Sequence, residues 1–352
     1  MEMHRTALVY HGDYLLHDAG DAHAESPGRL TASMDYFQKK GVLEKVTLLK
    51  PAPCTEEDIL RVHTKEHLEH IKKLSSMGGG YADDDTYCSP ATYGVARLAA
   101  GGCIRAAQAV MDKEADNAFA LIRPPGHHAS RNKAAGFCFF NNAAITARYL
   151  QEVCGLKRIL IFDWDAHAGN GTMDIFYDDP SVLNISIHQD PANFYPRTGR
   201  IEQIGRFYGE GFTVNIPVPA GTEDADYVHI LKEFVLPAMR AYSPEYVIIA
   251  AGQDSHGDDS ISGLSLTENG FGEMTRLIVE ESWKVCGGRV LAELEGGYEL
   301  ESFAGSNYAI LCALMGTNGK YEIKGEVKES TDVVLSALGE RFLPGSFAQK
   351  AP

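Results

Sequence analysis

The chain has no paired C-x-x-C spacing, no long apolar run and no surplus of basic residues. Each absence narrows what it can be. Its seven cysteines, at 54, 88, 103, 138, 154, 286 and 312, are scattered and odd in number. That argues against a disulfide framework and for reduced thiols. No apolar stretch approaches the roughly 18 residues of a membrane span, and the first thirty residues lack the apolar core of a signal peptide. A cytoplasmic location is expected. Lys and Arg total 32 against 48 Asp and Glu, a net charge of −16. This argues against non-specific nucleic-acid binding, which rests on cationic side chains neutralising phosphates. An acidic surface still steers cationic ligands such as a basic peptide or a polyamine. No repeat, low-complexity tract or Pro/Ser-rich linker divides residues 1–352, so one domain is expected.

What is present suits an α/β protein. Hydrophobic residues make up 44% and charged residues 23%, enough for a sizeable core. Short apolar runs at 6–10, 118–123, 158–164, 182–187, 212–218, 246–251 and 290–295 read as strands. Several are continuously apolar, the pattern of parallel strands covered on both faces. Helix-like segments at 55–75, 92–113, 140–154, 225–241, 267–286 and 300–315 separate them, and 330–342 reads as a C-terminal helix packed on the body. This alternation predicts a mainly parallel sheet with helices on both faces.

Polar residues fall where these runs end. "AFALIR" leads into His127 and His128, and "RILIFDW" into Asp165 and His167. "VLNISI" leads into His188, "YVIIAAGQD" ends at Asp254, and "VLAELEGGY" ends at Tyr298. Ligands of open parallel sheets bind beyond the carboxyl ends of the strands, so these residues are expected at one site. Asp165 and His167 are two apart and point to one side of an extended segment. With Asp254 they make two carboxylates and an imidazole, a donor set for catalytic rather than structural zinc. A histidine of the 127–128 pair suits a general base. Asp163 and Asn170 are candidates to orient these imidazoles, and the Tyr298 phenol suits an oxyanion donor. Phe137 and Tyr195, in aromatic-rich loops, are candidates for the walls of a narrow channel.

These residues resemble the histone deacetylase superfamily, with its arginase/deacetylase fold. The likeness is carried by "RPPGHHA" (123–129), "GFCFFNNAA" (136–144), "DWDAHAGNGT" (163–172), "SIHQD" with "FYPRTG" (186–199), "GEGFTVNIPVP" (209–219), "AAGQDS" (250–255) and "LEGGYELES" (294–302). "HAESPGRL" (23–30) looks like a variant of the family's N-terminal motif. The resemblance spans about residues 6–315 and leans to the class II branch and its bacterial and archaeal relatives. It implies zinc on Asp165, His167 and Asp254, with Fe²⁺ also compatible. It implies His128 as general base and acid, His127 as electrostatic partner and Tyr298 as carbonyl-polarising donor. Asp163 would back His127, and Asn170 would back His128. A structural potassium is implied near Asp163, Asp165, His167, Ser186 and Ile187, and a second near Phe176, Asp179, Val182 and Phe212. Gly136, Phe137 and Tyr195 match the walls of an acyl-lysine tunnel.

The implied reaction is hydrolysis of an N-acetyl amide, in acetyl-lysine of proteins or peptides or in an acetylated small amine. Departures from the family are visible. Its usual Gly-Asp-Pro reads Gly257-Asp258-Asp259 here, and Ile261 stands where a vertebrate relative carries a polyamine-selecting glutamate. Arginases place a second metal-binding carboxylate at the position of His256, but they also need an aspartate at that of Gly169. One metal is therefore expected. Asp83, Asp84 and Asp85 fall in an expected loop, 76–90, as candidates to hold a cationic substrate at the rim.

Overall fold

The computed structural model describes residues 3–20, 23–342 and 347. Eight strands build the main sheet: β1 (Thr6–Val9), β2 (Thr47–Leu49), β5 (Asn117–Ala120), β6 (Ile159–Asp163), β7 (Val182–Gln189), β8 (Thr213–Val218), β9 (Tyr246–Ala251) and β10 (Val290–Leu294). Their order is β2-β1-β5-β10-β9-β6-β7-β8, and every pairing is parallel. A separate antiparallel hairpin joins β3 (Gly80–Asp83) and β4 (Thr86–Cys88).

The central strands are buried along their whole length. Since successive side chains of a strand point to opposite faces, that burial requires cover on both. The apolar runs are the sequence imprint of this. Helix Thr92–Met111 packs on β1, β5 and β10, and helix Leu300–Leu314 packs on β5 and on the helices Gly28–Lys39 and Glu268–Val285. Helix Glu329–Arg341 lies against β8 and buries Thr331 and Leu338, as the sequence predicts. The expected tail beyond it falls at 343–346 and 348–352, outside the described residues.

Several elements depart from expectation for local reasons. The segment 55–75 is two helices, Glu56–Leu60 and Lys65–Ser76. Thr64 takes extended backbone and accepts from His67 N–H, capping a new helix start. The expected 76–90 loop holds the β3–β4 hairpin. A π turn, Leu231–Val235, interrupts the expected helix 225–241. Strand β2 and the helices Gly28–Lys39 and Asn170–Phe176 were not anticipated; β2 is short and half exposed, so its apolar signal is weak.

Helix Thr92–Met111 crosses the segment at 52–54 at backbone contact distance. A Cβ on Gly101 would stand 1.9 Å from the Ala52 carbonyl oxygen and 2.7 Å from Cys54 N. Gly101→Ala is therefore expected to destabilise the fold by roughly 1–3 kcal/mol. Thermal denaturation checks this, and an unchanged Tm would contradict the packing.

Candidate active site

Strand β6 ends on Asp163, and the next residues turn sharply over the edge of the sheet. Asp165 N–H donates to Asp163 Oδ1 at 3.0 Å, and His167 N–H to Asp165 Oδ1 at 2.8 Å. Asp254 follows β9, where its Oδ1 accepts from Ala166 N–H at 2.8 Å. Gly296, after β10, donates N–H to Asp165 Oδ2 at 2.8 Å. A Cβ at 296 would sit 2.5 Å from that oxygen, so only glycine admits the backbone here.

Asp165, His167 and Asp254 thus converge, with one donor atom from each within 4.8 Å of the others. His167 Nδ1 lies 3.1 Å from Asp165 Oδ1 and 2.8 Å from Asp254 Oδ2. Donors about 2.0–2.1 Å from a tetrahedral ion are separated by roughly 3.3 Å, so the trio is close to what a divalent ion needs. Charge gives the same answer. Burial, with Asp165 beside it, pushes Asp254 up to about 7. On His167, burial is outweighed by Asp165 and Asp254, which hold its pKa up to about 9. Without an ion a proton must sit among these groups, and a cation can take its place.

The segment after β5 brings in the histidine pair. Their rings lie 4.0 Å apart. His127 Nδ1 is 3.0 Å from Asp163 Oδ2, and His128 Nδ1 is 2.6 Å from Asn170 Oδ1. Burial opposes charge on His127, but Asp165, Asp163 and Glu295 outweigh it and hold its pKa well above the usual imidazole range. Burial, then His127 and His167, push His128 well below that range. A charged imidazole therefore stands beside a neutral one.

Aromatic rings surround this floor. Gly136 and Phe137, both at positive φ, form the tip of a turn closed by reciprocal bonds between Ala135 and Cys138. A Cβ on Gly136 would meet His128 Cδ2 at 2.3 Å and Tyr195 Cε1 at 3.1 Å, so only glycine fits beside these rings. Tyr195 stands edge-on to His128 at 4.9 Å, and Phe137 edge-on to Tyr298 at 6.0 Å. Phe194 stacks on His167 at 4.6 Å.

Sequence reasoning overlooked the residues that hold these groups. Glu25 takes a two-pronged ion pair from Arg123, at 2.6 and 2.8 Å, and a bond from Arg29 Nη1 at 3.2 Å. Arg29 also donates Nε–H to the Gly297 carbonyl at 2.6 Å and lies 5.0 Å from the Tyr298 ring centroid. Burial works against the Glu25 charge, yet Arg123, His17 and Arg29 hold it ionised far below the usual carboxylate range. Asp259 Oδ2 accepts from Tyr298 N–H at 2.6 Å, pinning the same turn. "HAESPGRL" marked Glu25 and Arg29 only as part of a motif.

Other expected residues lie elsewhere. His188 spends both ring nitrogens on Ser186 Oγ and the Gly199 carbonyl, bracing the 190–199 loop. His256 accepts from Asp258 N–H and stands 3.6 Å from Glu268, outside the donor trio. Asp83 pairs with Lys133 at 3.0 Å, Asp85 accepts from Thr86, and Ile261 is half-buried in the loop bonded to Asp259. Ser186 pairs in register with Asp163 across β6 and β7, with Ile187 next to it. At the second implied potassium site, the Phe212 carbonyl already accepts from Asn184 N–H and the Asp179 carboxylate from Arg148.

Comparison with known proteins shows the family. The histone deacetylase domain matches residues 23–314, and the chain belongs to that family. A probable deacetylase of Archaeoglobus fulgidus is 45% identical over 88% of this chain and 86% of its own length. The histone deacetylase-like amidohydrolase of Pseudomonas aeruginosa is 38% identical, over 82% of this chain and 75% of its own. Human polyamine deacetylase HDAC10 is also 38% identical, but this chain spans only 48% of it. The crystal structure of the HDA15 HD domain superposes with a TM-score of 0.91 at 35% identity, covering 98% of each chain.

Arg123 is fully buried and carries the charge that balances Glu25. Arg123→Met should cost about 3–5 kcal/mol, because it leaves a buried carboxylate without its two-pronged partner and only the longer bond to Arg29. Urea denaturation measures this, and a loss below about 1 kcal/mol would show that the pair is not what holds Glu25.

Proposed function

We propose that this deacetylase-family chain is a zinc-type enzyme that hydrolyses N-acetyl amides, with N-acetyl-lysine in proteins or peptides as the favoured substrate. The observation that carries the reading is the Asp165–His167–Asp254 trio beside a charged and a neutral histidine, under an aromatic passage. A divalent ion on those three donors, Zn²⁺ or Fe²⁺, supplies Lewis-acid polarisation and a lowered water pKa. We assign a structural potassium to the Asp163, Ser186 and Ile187 region. One deacetylase domain in a reducing, cytoplasmic setting fits the chain's free cysteines.

The residues divide the work by charge. Asn170 Oδ1 accepts from His128 Nδ1–H, which leaves the lone pair on Nε2. Kept neutral, His128 takes the proton of the attacking water. His127, kept charged against Asp163, stabilises the developing anion. The Tyr298 hydroxyl, whose pKa burial holds well above the usual phenol range, stays protonated and donates to the oxyanion. Collapse breaks the C–N bond, a histidine proton passes to the leaving nitrogen, and acetate and a free amine result. The walls at Gly136, Phe137 and Tyr195 admit an extended acyl-amine and exclude bulk.

A second reading, hydrolysis of acetylpolyamines, is favoured by the likeness to polyamine deacetylase HDAC10. Ile261, standing where the resemblance expects a polyamine-selecting glutamate, favours peptides over it. The metal-loaded protein should deacetylate acetyl-lysine peptides faster than acetylputrescine or acetylspermidine. Tyr298→Phe should lower kcat by about 10²–10³ with little change in KM. The opposite preference would move the substrate to small amines, and silence on both would overturn the reading.

A further inference from the structure

Of two carboxylates near the histidine pair, Glu293 has no part in the chemistry above and Glu295 enters it only through its effect on His127. Glu293 and Glu295 are both fully buried. They are two apart in sequence at the end of β10, so they lie on the same face, one strand repeat apart. Glu293 is in register with Ala120 on β5 and Ala250 on β9, and Ala250 with Asp163 on β6. The two alanines leave room in that row. The oxygens are used unequally. Glu295 Oε2 accepts from Gly126 N–H at 2.7 Å and His127 N–H at 3.1 Å. Glu295 Oε1 and both oxygens of Glu293 have no hydrogen-bond partner among the described residues.

Two adjacent buried carboxylates cannot both stay ionised. Burial raises both, Glu295 to about 7, and the bonds decide between them: two N–H donors favour the anion on Glu295 and none does so on Glu293. We propose that Glu293 and Glu295 work as one acid–carboxylate pair holding a single proton. Through that pair Glu295 is a positioning residue for the His127–His128 segment. The proton sits on Glu293 and is donated to Glu295 Oε1, which fixes Glu295 so that Oε2 grips the backbone at 126 and 127. Cys103 of helix Thr92–Met111 lies beside the Glu293 carboxyl. Burial and the neighbouring carboxylate push Glu293 well above the usual carboxylate range, in keeping with this order. His127 gains a second benefit, since the Glu295 charge helps keep its imidazole protonated.

The inference rests on the roles given to His127 and His128, so its test needs readouts independent of turnover. Infrared spectra of the Zn²⁺-loaded full chain at neutral pH should show a protonated carboxyl band that Glu293→Leu removes. Absence of the band, or its survival in Glu293→Leu, would overturn the shared proton. Hydrogen exchange of peptides spanning Gly126 and His127 should accelerate at least tenfold in Glu295→Leu and stay near wild type in Glu295→Gln, which keeps an acceptor oxygen. Unchanged exchange in Glu295→Leu would overturn the positioning role, whatever the substrate proves to be. In the deacetylation assay Glu295→Leu should lower kcat by about 30–100-fold with KM within threefold, from misplacement of the histidines. Glu295→Gln should recover kcat to within tenfold of wild type. A rise in KM alone, or failure of Glu295→Gln to recover, would contradict the role. If Glu295→Leu does not fold, the Glu293→Leu spectrum and Glu295→Gln kinetics still decide it.

Discussion

Burial of negative charge at the carboxyl edge of a parallel sheet is the constraint on which this structure turns. Asp163, Asp165, Asp254, Glu293 and Glu295 all lie at or near zero exposure along neighbouring strand ends. Unpaired buried carboxylates are costly, and what surrounds these five reads as compensation. His127 and His167 stand among them, and main-chain N–H groups of Ala166, Gly126, His127 and Gly296 point at their oxygens. The divalent cation proposed for the Asp165–His167–Asp254 trio would complete the balance. The asymmetry of the pair follows: the surrounding acids outweigh burial and hold the His127 pKa up, whereas burial, then His127 and His167, push that of His128 down.

A second buried charge system holds the turn that carries Tyr298. Arg123 belongs to the histidine segment, Glu25 to the N-terminal motif, and Arg29 reaches the turn carrying Tyr298. Three stretches far apart in sequence are thus locked by one carboxylate and two guanidiniums. This ties the position of Tyr298 to that of the histidines. Asp259 adds a further tie from the loop after Asp254. Bidentate ion pairs of this kind are stiff as well as strong, and a rigid frame is what precise placement of reacting groups needs.

Much of this was legible in the sequence because strands covered on both faces leave continuous apolar runs. Residues such as His127, Asp165, Asp254 and Tyr298 declare themselves by following those runs. What was not legible is long-range or disguised. Glu25 and Arg123 are 98 residues apart, and nothing local marks them as partners. The "ADDDTYC" hairpin has the composition of a solvated loop; Thr86 bonds Phe137 N–H and Lys133 takes Asp83, contacts visible only in three dimensions. Helix Asn170–Phe176 was hidden because "GNGT" reads as a turn. Glu293 passed as part of a strand because its apolar neighbours dominate the pattern.

The most direct measurement of the central claim is a calorimetric titration of chelator-stripped protein with Zn²⁺, run in buffers of different ionisation enthalpy. The account predicts one ion per chain, with proton release at neutral pH because His167, held up to about 9, must give up its proton to bind. Asp254→Asn should bind far more weakly. Two ions per chain, no net proton release, or wild-type affinity in Asp254→Asn would contradict a single ion held by Asp165, His167 and Asp254.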